Sequence, residues 1–266
     1  MLKRALNTTS YFSNHSTRLT PFVNKTPAMV FYASSTKAAA ATNPSALRIR
    51  GVVFDMDGTL ATPMTEHLVQ LHKELGVPSK MGILEYVDEC LEGAARVLAE
   101  QRILEVETEA MGSMELSPGL VELLQFLHDN EIPIAIITRN NEKAADHFLR
   151  QVVTRQPEEQ WKLFAFNPVL DRSFVPTKPQ PHALLHISQT WGISPHELMM
   201  VGDHLDDLLC GVRAGSVSAL LRYSYNRVFE DKAHISMDQI DGLIEKLAGG
   251  FEADMTITGD SELDYF

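Results

Sequence analysis

Short apolar runs alternate with stretches of helical spacing along most of the chain. Five runs have the length and apolar character of buried parallel strands, and they span residues 48–55, 132–138, 163–169, 198–201 and 217–221. Apolar residues at helical spacing predict helices at 117–130, 140–152, 181–191 and 237–247, with another ending at 214. Strands that alternate with helices predict an α/β fold, a doubly wound parallel sheet with helices on both faces.

Two helical patterns, at 66–75 and 82–111, interrupt this alternation after the first strand. We expect them to form a small α-helical cap inserted over the strand ends. Glu92, Arg96 and Arg102 of this insert are candidate substrate contacts, with solvated helix faces as the alternative. The expected organisation is a leader at 1–46, an α/β core at 47–61 and 113–250, a cap at 62–112 and an acidic tail at 251–266.

Charge is distributed unevenly along the 266 residues, whose net charge is −12. The first 54 residues hold seven Lys or Arg and no acid, which leaves 16 basic against 35 acidic residues, or −19, in the remainder. A body this acidic is a poor nucleic-acid binder, because phosphate backbones require clustered Lys and Arg. No apolar run approaches membrane-spanning length. We therefore expect neither nucleic acid nor a membrane as a partner.

The first 46 residues are rich in Ser, Thr, Asn and Ala, with scattered basic residues. This composition is typical of an organelle transit peptide, and it fits a mitochondrion or a chloroplast equally. A disordered tail without a targeting role is the alternative. Cys90 and Cys210 are the two cysteines, and they form neither a disulfide framework nor a metal-ligand spacing.

Polar side chains follow three of the predicted strands. Asp55 and Asp57 end the first strand, Thr138 and Arg139 end the second, and Asp203 follows the fourth. Ligands of open α/β sheets bind at the carboxyl ends of the strands. Asp55 and Asp57 are separated by one residue, so in an extended chain their side chains point to the same side. Two carboxylates held so close to each other indicate a bound cation or a shared proton.

Four motifs together resemble the haloacid dehalogenase-like superfamily, in its phosphoglycolate-phosphatase-like branch. They are Asp-x-Asp-Gly-Thr-Leu at 55–60, the apolar strand ending in Thr138, Lys178-Pro179, and Gly-Asp-x-x-x-Asp at 202–207. They occur in the family's order and spacing, and the resemblance covers roughly residues 50–222. It implies a Rossmann-like core with a helical cap, and a phosphatase that acts on a small phosphorylated metabolite.

The resemblance also implies a Mg²⁺ ion, which prefers hard oxygen ligands. Asp55, the backbone carbonyl of Asp57 and Asp203 would bind the metal. Asp207 would bind it through water or would anchor its ligands. Asp206 stands where many relatives have Asn, and we expect it outside the metal's immediate ligands.

The resemblance assigns a catalytic role to each remaining residue. Asp55 would attack phosphorus to give an aspartyl-phosphate, and Asp57 would be the general acid and then the base. The Thr138 hydroxyl and the Arg139 amide would bind the phosphoryl oxygens, and Lys178 would neutralise their charge. Two residues depart from the family pattern. His204 replaces a Ser or Thr, and Arg139 interrupts the usual Thr-Asn pair; the Arg139 side chain would bind substrate or face solvent.

Three alternatives to hydrolysis remain open. A phosphomutase uses the same aspartyl-phosphate but needs a cap that excludes water, which disfavours a cap of about fifty residues. A dehalogenase would not need Asp57, and a non-catalytic regulatory protein would not need the complete motif set. The substrate is not identified, because phosphoglycolate, sugar phosphates and nucleoside monophosphates all satisfy the motifs.

Overall fold

A parallel sheet of six strands forms the centre of the chain. The computed structural model describes residues 29–33, 47–63, 65–79 and 81–259. The strands of this part of the chain are β1 (Met29–Ala33), β2 (Leu47–Ile49), β3 (Gly51–Phe54), β4 (Ile134–Ile137), β5 (Val169–Leu170), β6 (Leu198–Gly202), β7 (Val217–Leu221), β8 (Ile235–Met237) and β9 (Phe251–Ala253). The central sheet has the order β5-β4-β3-β6-β7-β8, and all its pairs are parallel.

Helices connect the strands and cover both faces of the sheet. They are α1 (Thr65–Glu74), α2 (Ile83–Cys90), α3 (Gly93–Gly112), α4 (Leu120–Asp129), α5 (Glu142–His147), α6 (His182–Trp191), α7 (Leu205–Ala214) and α8 (Gly242–Gly249). A π-helical turn at Phe148–Val152 continues α5. Short 3₁₀ turns lie at Val153–Arg155, Glu158–Phe164, Pro195–Glu197 and Arg227–Lys232.

Alternate residues of the central strands pack into two separate cores. Val52 and Phe54 lie in one core with the apolar faces of α4 and α8, whereas Val53 lies in the other with those of α6 and α7. Successive strand side chains point to opposite faces, so a strand covered on both sides must be apolar at every position. This explains the uninterrupted apolar runs, and the predicted doubly wound α/β fold is confirmed.

The helices α1, α2 and α3 pack around a small apolar cluster of their own. Leu71, Val87, Ala99, Ile103 and Val106 form its buried part. The predicted single helix at 82–111 is wrong, because the chain breaks between α2 and α3, where Gly93 adopts a φ of +55°. The two shorter helices can then fold back against α1.

Several predicted strand and helix boundaries differ from the structure. The run 48–55 divides into β2 and β3, and the run 163–169 contributes only Val169 to β5, since a 3₁₀ turn occupies Glu158–Phe164. The helix predicted at 237–247 begins at Gly242, because Ile235–Met237 forms the edge strand β8. The helix predicted at 117–130 begins only at Leu120, after Gly119 with a φ of +82°.

A second sheet, with the order β2-β1-β9, joins stretches that the sequence analysis placed in the leader and the tail. Strand β1 is parallel to β2 and antiparallel to β9. The rest of the predicted transit peptide, at 1–28 and 34–46, lies outside the described residues, as do residues 260–266 of the tail. In the part of the chain that the structure describes, no helix combines the length and apolar character needed to cross a membrane.

Candidate active site

The register of the sheet places three polar loops side by side. Phe54 of β3 pairs with Ile136 of β4 on one side and with Val201 of β6 on the other. The residues that follow, including Asp55, Thr138 and Asp203, therefore meet at one edge of the sheet. The seven predicted site residues all line a cavity of about 700 Å³ at this edge: Asp55, Asp57, Thr138, Arg139, Lys178, Asp203 and Asp207.

Lys178 joins two of the carboxylates. Its Nζ donates hydrogen bonds to Asp55 Oδ1 at 2.5 Å and to Asp207 Oδ1 at 2.6 Å. Burial alone disfavours the charged amine, but the carboxylates of Asp207 and Asp55 outweigh burial and raise the pKa of Lys178. Lys178 therefore stays cationic beside Asp55.

Asp55, Asp203 and Asp207 form a buried acidic cluster in which one carboxylate oxygen of each lies within 4.8 Å of the others. Burial, together with the neighbouring carboxylates, raises the pKa of Asp55 well above its usual value. The same two causes raise the pKa of Asp203 to about 6. One lysine does not balance three carboxylates, and an oxygen-only set of this kind fits a hard divalent cation such as Mg²⁺.

Two glycines allow the acidic cluster to form. Gly58 has a φ of +74°, and a Cβ there would lie 2.5 Å from the carboxylate of Asp203. A Cβ on Gly202 would lie 2.2 Å from Asp207 Oδ2. Real Cβ atoms do not approach other atoms so closely, so glycine at both positions lets the two carboxylates reach the backbone of the site.

Asp57 lies apart from the acidic cluster and contacts Asn140. The Asn140 side chain donates a hydrogen bond to Asp57 Oδ2. The buried Oδ1 atom of Asp57 has no hydrogen-bond partner among the described residues. Burial raises the pKa of Asp57 to about 6. A carboxyl group of this kind can exchange a proton near neutral pH. The acidic cluster contains no side-chain oxygen of Asp57.

The loop after β4 holds Thr138 and Arg139 in different ways. Thr138 is buried, and its Oγ1 accepts a hydrogen bond from the Asn140 N–H at 3.1 Å. The Arg139 guanidinium donates to Asp206, whose side chain is 2% exposed. The cation of Arg139 is thus compensated by the buried carboxylate of Asp206, the residue that stands where many relatives have Asn. His204, the other departure from the family pattern, caps α7: its Nδ1 accepts a hydrogen bond from the Asp206 N–H at 3.3 Å.

Sequence reasoning missed the residues that hold Asp203. The Tyr225 hydroxyl donates to Asp203 Oδ2 at 2.7 Å, and the Asn226 side chain donates to the Asp203 carbonyl oxygen at 2.7 Å. Both residues follow β7. The other site residues were predicted because they are polar residues that follow a strand. The same criterion, applied after the fifth predicted strand, would have selected Tyr225 and Asn226.

Helix α3 contacts the loops after β4 and β5 through a residue that was not among the sequence-based candidates. Glu107 of α3 accepts hydrogen bonds from Asn141 at 2.6 Å and from Arg172 at 2.7 Å. By contrast, Arg96 pairs with Asp88 and Glu100 on the surface, and Arg102 pairs with Glu74 and Glu105. The cavity lining includes none of the three expected cap contacts, Glu92, Arg96 and Arg102.

Comparison with known proteins identifies the family. A family model described as haloacid dehalogenase-like hydrolase matches residues 49–215. The chain belongs to the haloacid dehalogenase-like hydrolase family. This match spans the seven predicted site residues and more than half of the chain, so the expected superfamily, and with it an enzyme of the hydrolase class, are confirmed.

Individual relatives agree with this assignment. The chain is 37% identical over 198 residues to a haloacid dehalogenase-like hydrolase domain-containing protein of Arabidopsis thaliana, covering 70% of this chain and 76% of that protein. It is 29% identical over 224 residues to phosphoglycolate phosphatase 1 of Pseudomonas aeruginosa, covering 73% and 78%. A solved structure of CbbY from Rhodobacter sphaeroides in complex with phosphate shares the fold, with a TM-score of 0.58, 18% identity and coverage of 73% and 96%. The similarity to phosphoglycolate phosphatase 1 agrees with the phosphoglycolate-phosphatase-like branch of the family.

Proposed function

We propose that this hydrolase is a Mg²⁺-dependent phosphomonoesterase that acts on a small organic phosphate through an aspartyl-phosphate on Asp55. The observation that carries the proposal is the pairing of Lys178 with Asp55 inside the acidic cluster of Asp203 and Asp207. Similarity to proteins named phosphoglycolate phosphatase supports the choice of phosphate esters over other substrates of the family.

Asp55 is the nucleophile in this proposal. One of its carboxylate oxygens forms a bond to phosphorus while the bond from phosphorus to the leaving alkoxide oxygen breaks. Lys178, whose Nζ lies 2.5 Å from Asp55 Oδ1, orients the carboxylate and offsets the charge that accumulates on the phosphoryl group. The Thr138 hydroxyl and the Arg139 amide bind phosphoryl oxygens, whereas the Arg139 guanidinium stays with Asp206.

Asp57 moves the protons. In the first step its protonated carboxyl gives a proton to the leaving oxygen, and in the second step its carboxylate takes a proton from the water that attacks the aspartyl-phosphate. The pKa of about 6 suits both directions near neutral pH. Asn140, bound to Asp57 Oδ2, holds the carboxyl in place and leaves Oδ1 for the proton transfer.

Asp55, Asp203 and the backbone carbonyl of Asp57 would hold the Mg²⁺ ion, with Asp207 as a further ligand or as the anchor of Lys178. When bound, the ion neutralises the repulsion between the phosphate and the carboxylates. We also propose that the helices of 62–112 act as a cap that selects the substrate, because α1, α2 and α3 supply most of the cavity wall opposite the strand ends.

Phosphate release from p-nitrophenyl phosphate, with Mg²⁺ and with EDTA, tests the proposal. Turnover should require Mg²⁺, and Asp55→Asn should lose it by at least ~10³-fold. Asp129→Asn, a matched change on the exposed end of α4, should retain full turnover. Unchanged turnover in Asp55→Asn would refute the mechanism. Transfer of the phosphoryl group from the labelled enzyme back to a sugar phosphate, instead of to water, would favour a phosphomutase.

A further inference from the structure

The wall of the cavity that faces the acidic cluster is largely apolar. Leu71 of α1 and Ile103, Val106 and Ala110 of α3 line it, and all four are buried. Ile83 and Leu84 of α2 also belong to the lining. A leaving group that contacts this wall gains free energy by removing apolar surface from water, whereas a charged group there loses its hydration without a partner.

The charges of the lining are strongly negative. Its seven carboxylates are those of Asp55, Asp57, Glu85, Glu107, Asp203, Asp206 and Asp207. Among the described lining residues, Arg139 and Lys178 are the only Lys or Arg, so the formal charge is −5, and a bound divalent cation would leave −3. Counting Arg172, which pairs with Glu107 behind the wall, still leaves −2.

The two cations of the lining are grouped near the strand ends and are already paired. Lys178 contacts Asp55 and Asp207, and Arg139 contacts Asp206. A phosphoryl group beside Asp55 would be close to Lys178, and to a cation if Asp55 and Asp203 bind one. A second anionic group on the same molecule, directed toward α1–α3, would instead meet apolar side chains and the carboxylates of Glu85 and Glu107, an unfavourable Coulomb interaction at low dielectric constant. The other titratable side chains on this wall are the imidazoles of His67 and His72, and neither carries the permanent charge of a Lys or Arg.

We infer that the substrate, given the phosphomonoesterase proposed above, is a monophosphate ester whose remaining part is uncharged and partly apolar. A carboxylate or a second phosphate on the leaving group is selected against. The volume agrees with a leaving group of some size: about 700 Å³ corresponds to on the order of twenty water molecules at ~30 Å³ each, much more than a two-carbon group fills.

Pairs of substrates that are similar in size but differ in the charge of the leaving group test this inference with the full chain. Phenyl phosphate is compared with 4-carboxyphenyl phosphate, and 2-hydroxyethyl phosphate with 2-phosphoglycolate. The uncharged member of each pair should have a kcat/KM at least ~10-fold higher, with the difference decreasing at high salt. An equal or higher kcat/KM for the charged member would overturn the inference while leaving the phosphatase intact. If the folded protein hydrolyses none of these four esters and does not hydrolyse p-nitrophenyl phosphate either, the proposed function itself fails.

A cation introduced into the apolar wall should reduce this selectivity. Val106→Lys places an amine in the cavity lining, and it should increase hydrolysis of the carboxylated aryl phosphate relative to phenyl phosphate, with a gain of ~5-fold or more in the ratio of their kcat/KM values. Val97→Lys is the matched control, because Val97 lies on the same helix at 60% exposure outside the lining. Selectivity that is unchanged in a folded Val106→Lys protein would overturn the inference.

Two further variants complete the test. Ile83→Lys, at the half-buried first residue of α2, repeats the design at a more tolerant position if Val106→Lys does not fold. Lys80 lies outside the described residues, between the lining residues Ser79 and Met81. Lys80→Gln should leave the preference for the uncharged substrates unchanged. A gain in that preference would show that Lys80 accepts anionic substrates and would contradict the inference.

Discussion

Removal of the Lys178 amine should have a large effect on stability. It is 4% exposed and contacts two buried carboxylates, so Lys178→Met leaves Asp55, Asp203 and Asp207 without a cationic side chain in contact. Breaking a buried ion pair by removing one partner costs about 3–5 kcal/mol, because an uncompensated buried charge remains. We expect a loss of that size in the free energy of unfolding at pH 7 without metal.

The pH dependence gives this loss a distinct signature. Without Lys178, the folded-state pKa values of the cluster rise further above the unfolded value of ~4. The folded state then binds more protons than the unfolded state, so the destabilisation grows as pH rises from about 4 and is present in full above the folded pKa values. The deficit of Lys178→Met relative to the unmutated protein should therefore shrink as pH falls from 7 to 5.

Urea unfolding followed by circular dichroism measures this prediction at pH 5, 6 and 7, with Lys162→Met as the control. Lys162 is exposed on the 3₁₀ turn Glu158–Phe164, and its replacement should change the free energy of unfolding by less than about 0.5 kcal/mol. Added Mg²⁺ should stabilise Lys178→Met more than the unmutated protein, since the cation would offset the uncompensated repulsion. A deficit below about 1 kcal/mol, or one independent of pH, would refute the reasoning.

Three further predictions follow from contacts near the site and at the sheet edge. Tyr225→Phe removes the hydrogen bond to Asp203, so the Mg²⁺ affinity measured by calorimetry should fall by ~10-fold. The control Tyr223→Phe should leave the affinity unchanged, and equal effects of the two variants would contradict the role of Tyr225 in holding Asp203. Gly58→Ala forces a Cβ against Asp203, and we expect a loss of at least about 1 kcal/mol in urea unfolding together with weaker Mg²⁺ binding; native-like values for both would count against this packing. His234 Nδ1 accepts a hydrogen bond from the Ser218 N–H, and burial lowers the pKa of His234 to about 4. The free energy of unfolding should therefore be unaffected by His234 above pH ~6.5 and should decrease by at most about 3 kcal/mol as pH falls to 4. His234→Gln should flatten this part of the pH profile, and an unchanged slope would show that other groups cause it.

Local patterns were sufficient where one short stretch contains all the information. The uninterrupted apolar run before Asp55 predicted a strand covered on both faces, and Val52, Val53 and Phe54 are fully buried. The helix predicted from 140 begins after Asn141, whose side chain accepts a hydrogen bond from the Ala144 N–H at 2.9 Å. The helix predicted to end at 191 is followed by Gly192, which has a φ of +63°. At these two helix ends, a capping side chain and the freedom of glycine at positive φ decide the outcome locally.

Patterns failed where a competing contact lies far away in the sequence. Apolar spacing continues through 82–111, yet the helix breaks at Gly93, because two short helices bury the faces that one long helix would expose. The edge strand Ile235–Met237 has three residues, too few to establish a period of two, and its pairing with β7 alone defines it. The sheet of β1, β2 and β9 joins residues more than 200 positions apart.

The sequence by itself determined the α/β fold class, the family and the residues that meet at the strand ends. These depend on local apolar runs and on motifs in which each side chain follows its own strand. Only the tertiary structure decided which groups compensate one another: Arg139 with Asp206, Tyr225 with Asp203, and Glu107 with Arg172. Burial and neighbouring charge set the pKa of a side chain and the polarity of a cavity wall, and both are sums over residues that folding brings together from distant parts of the chain.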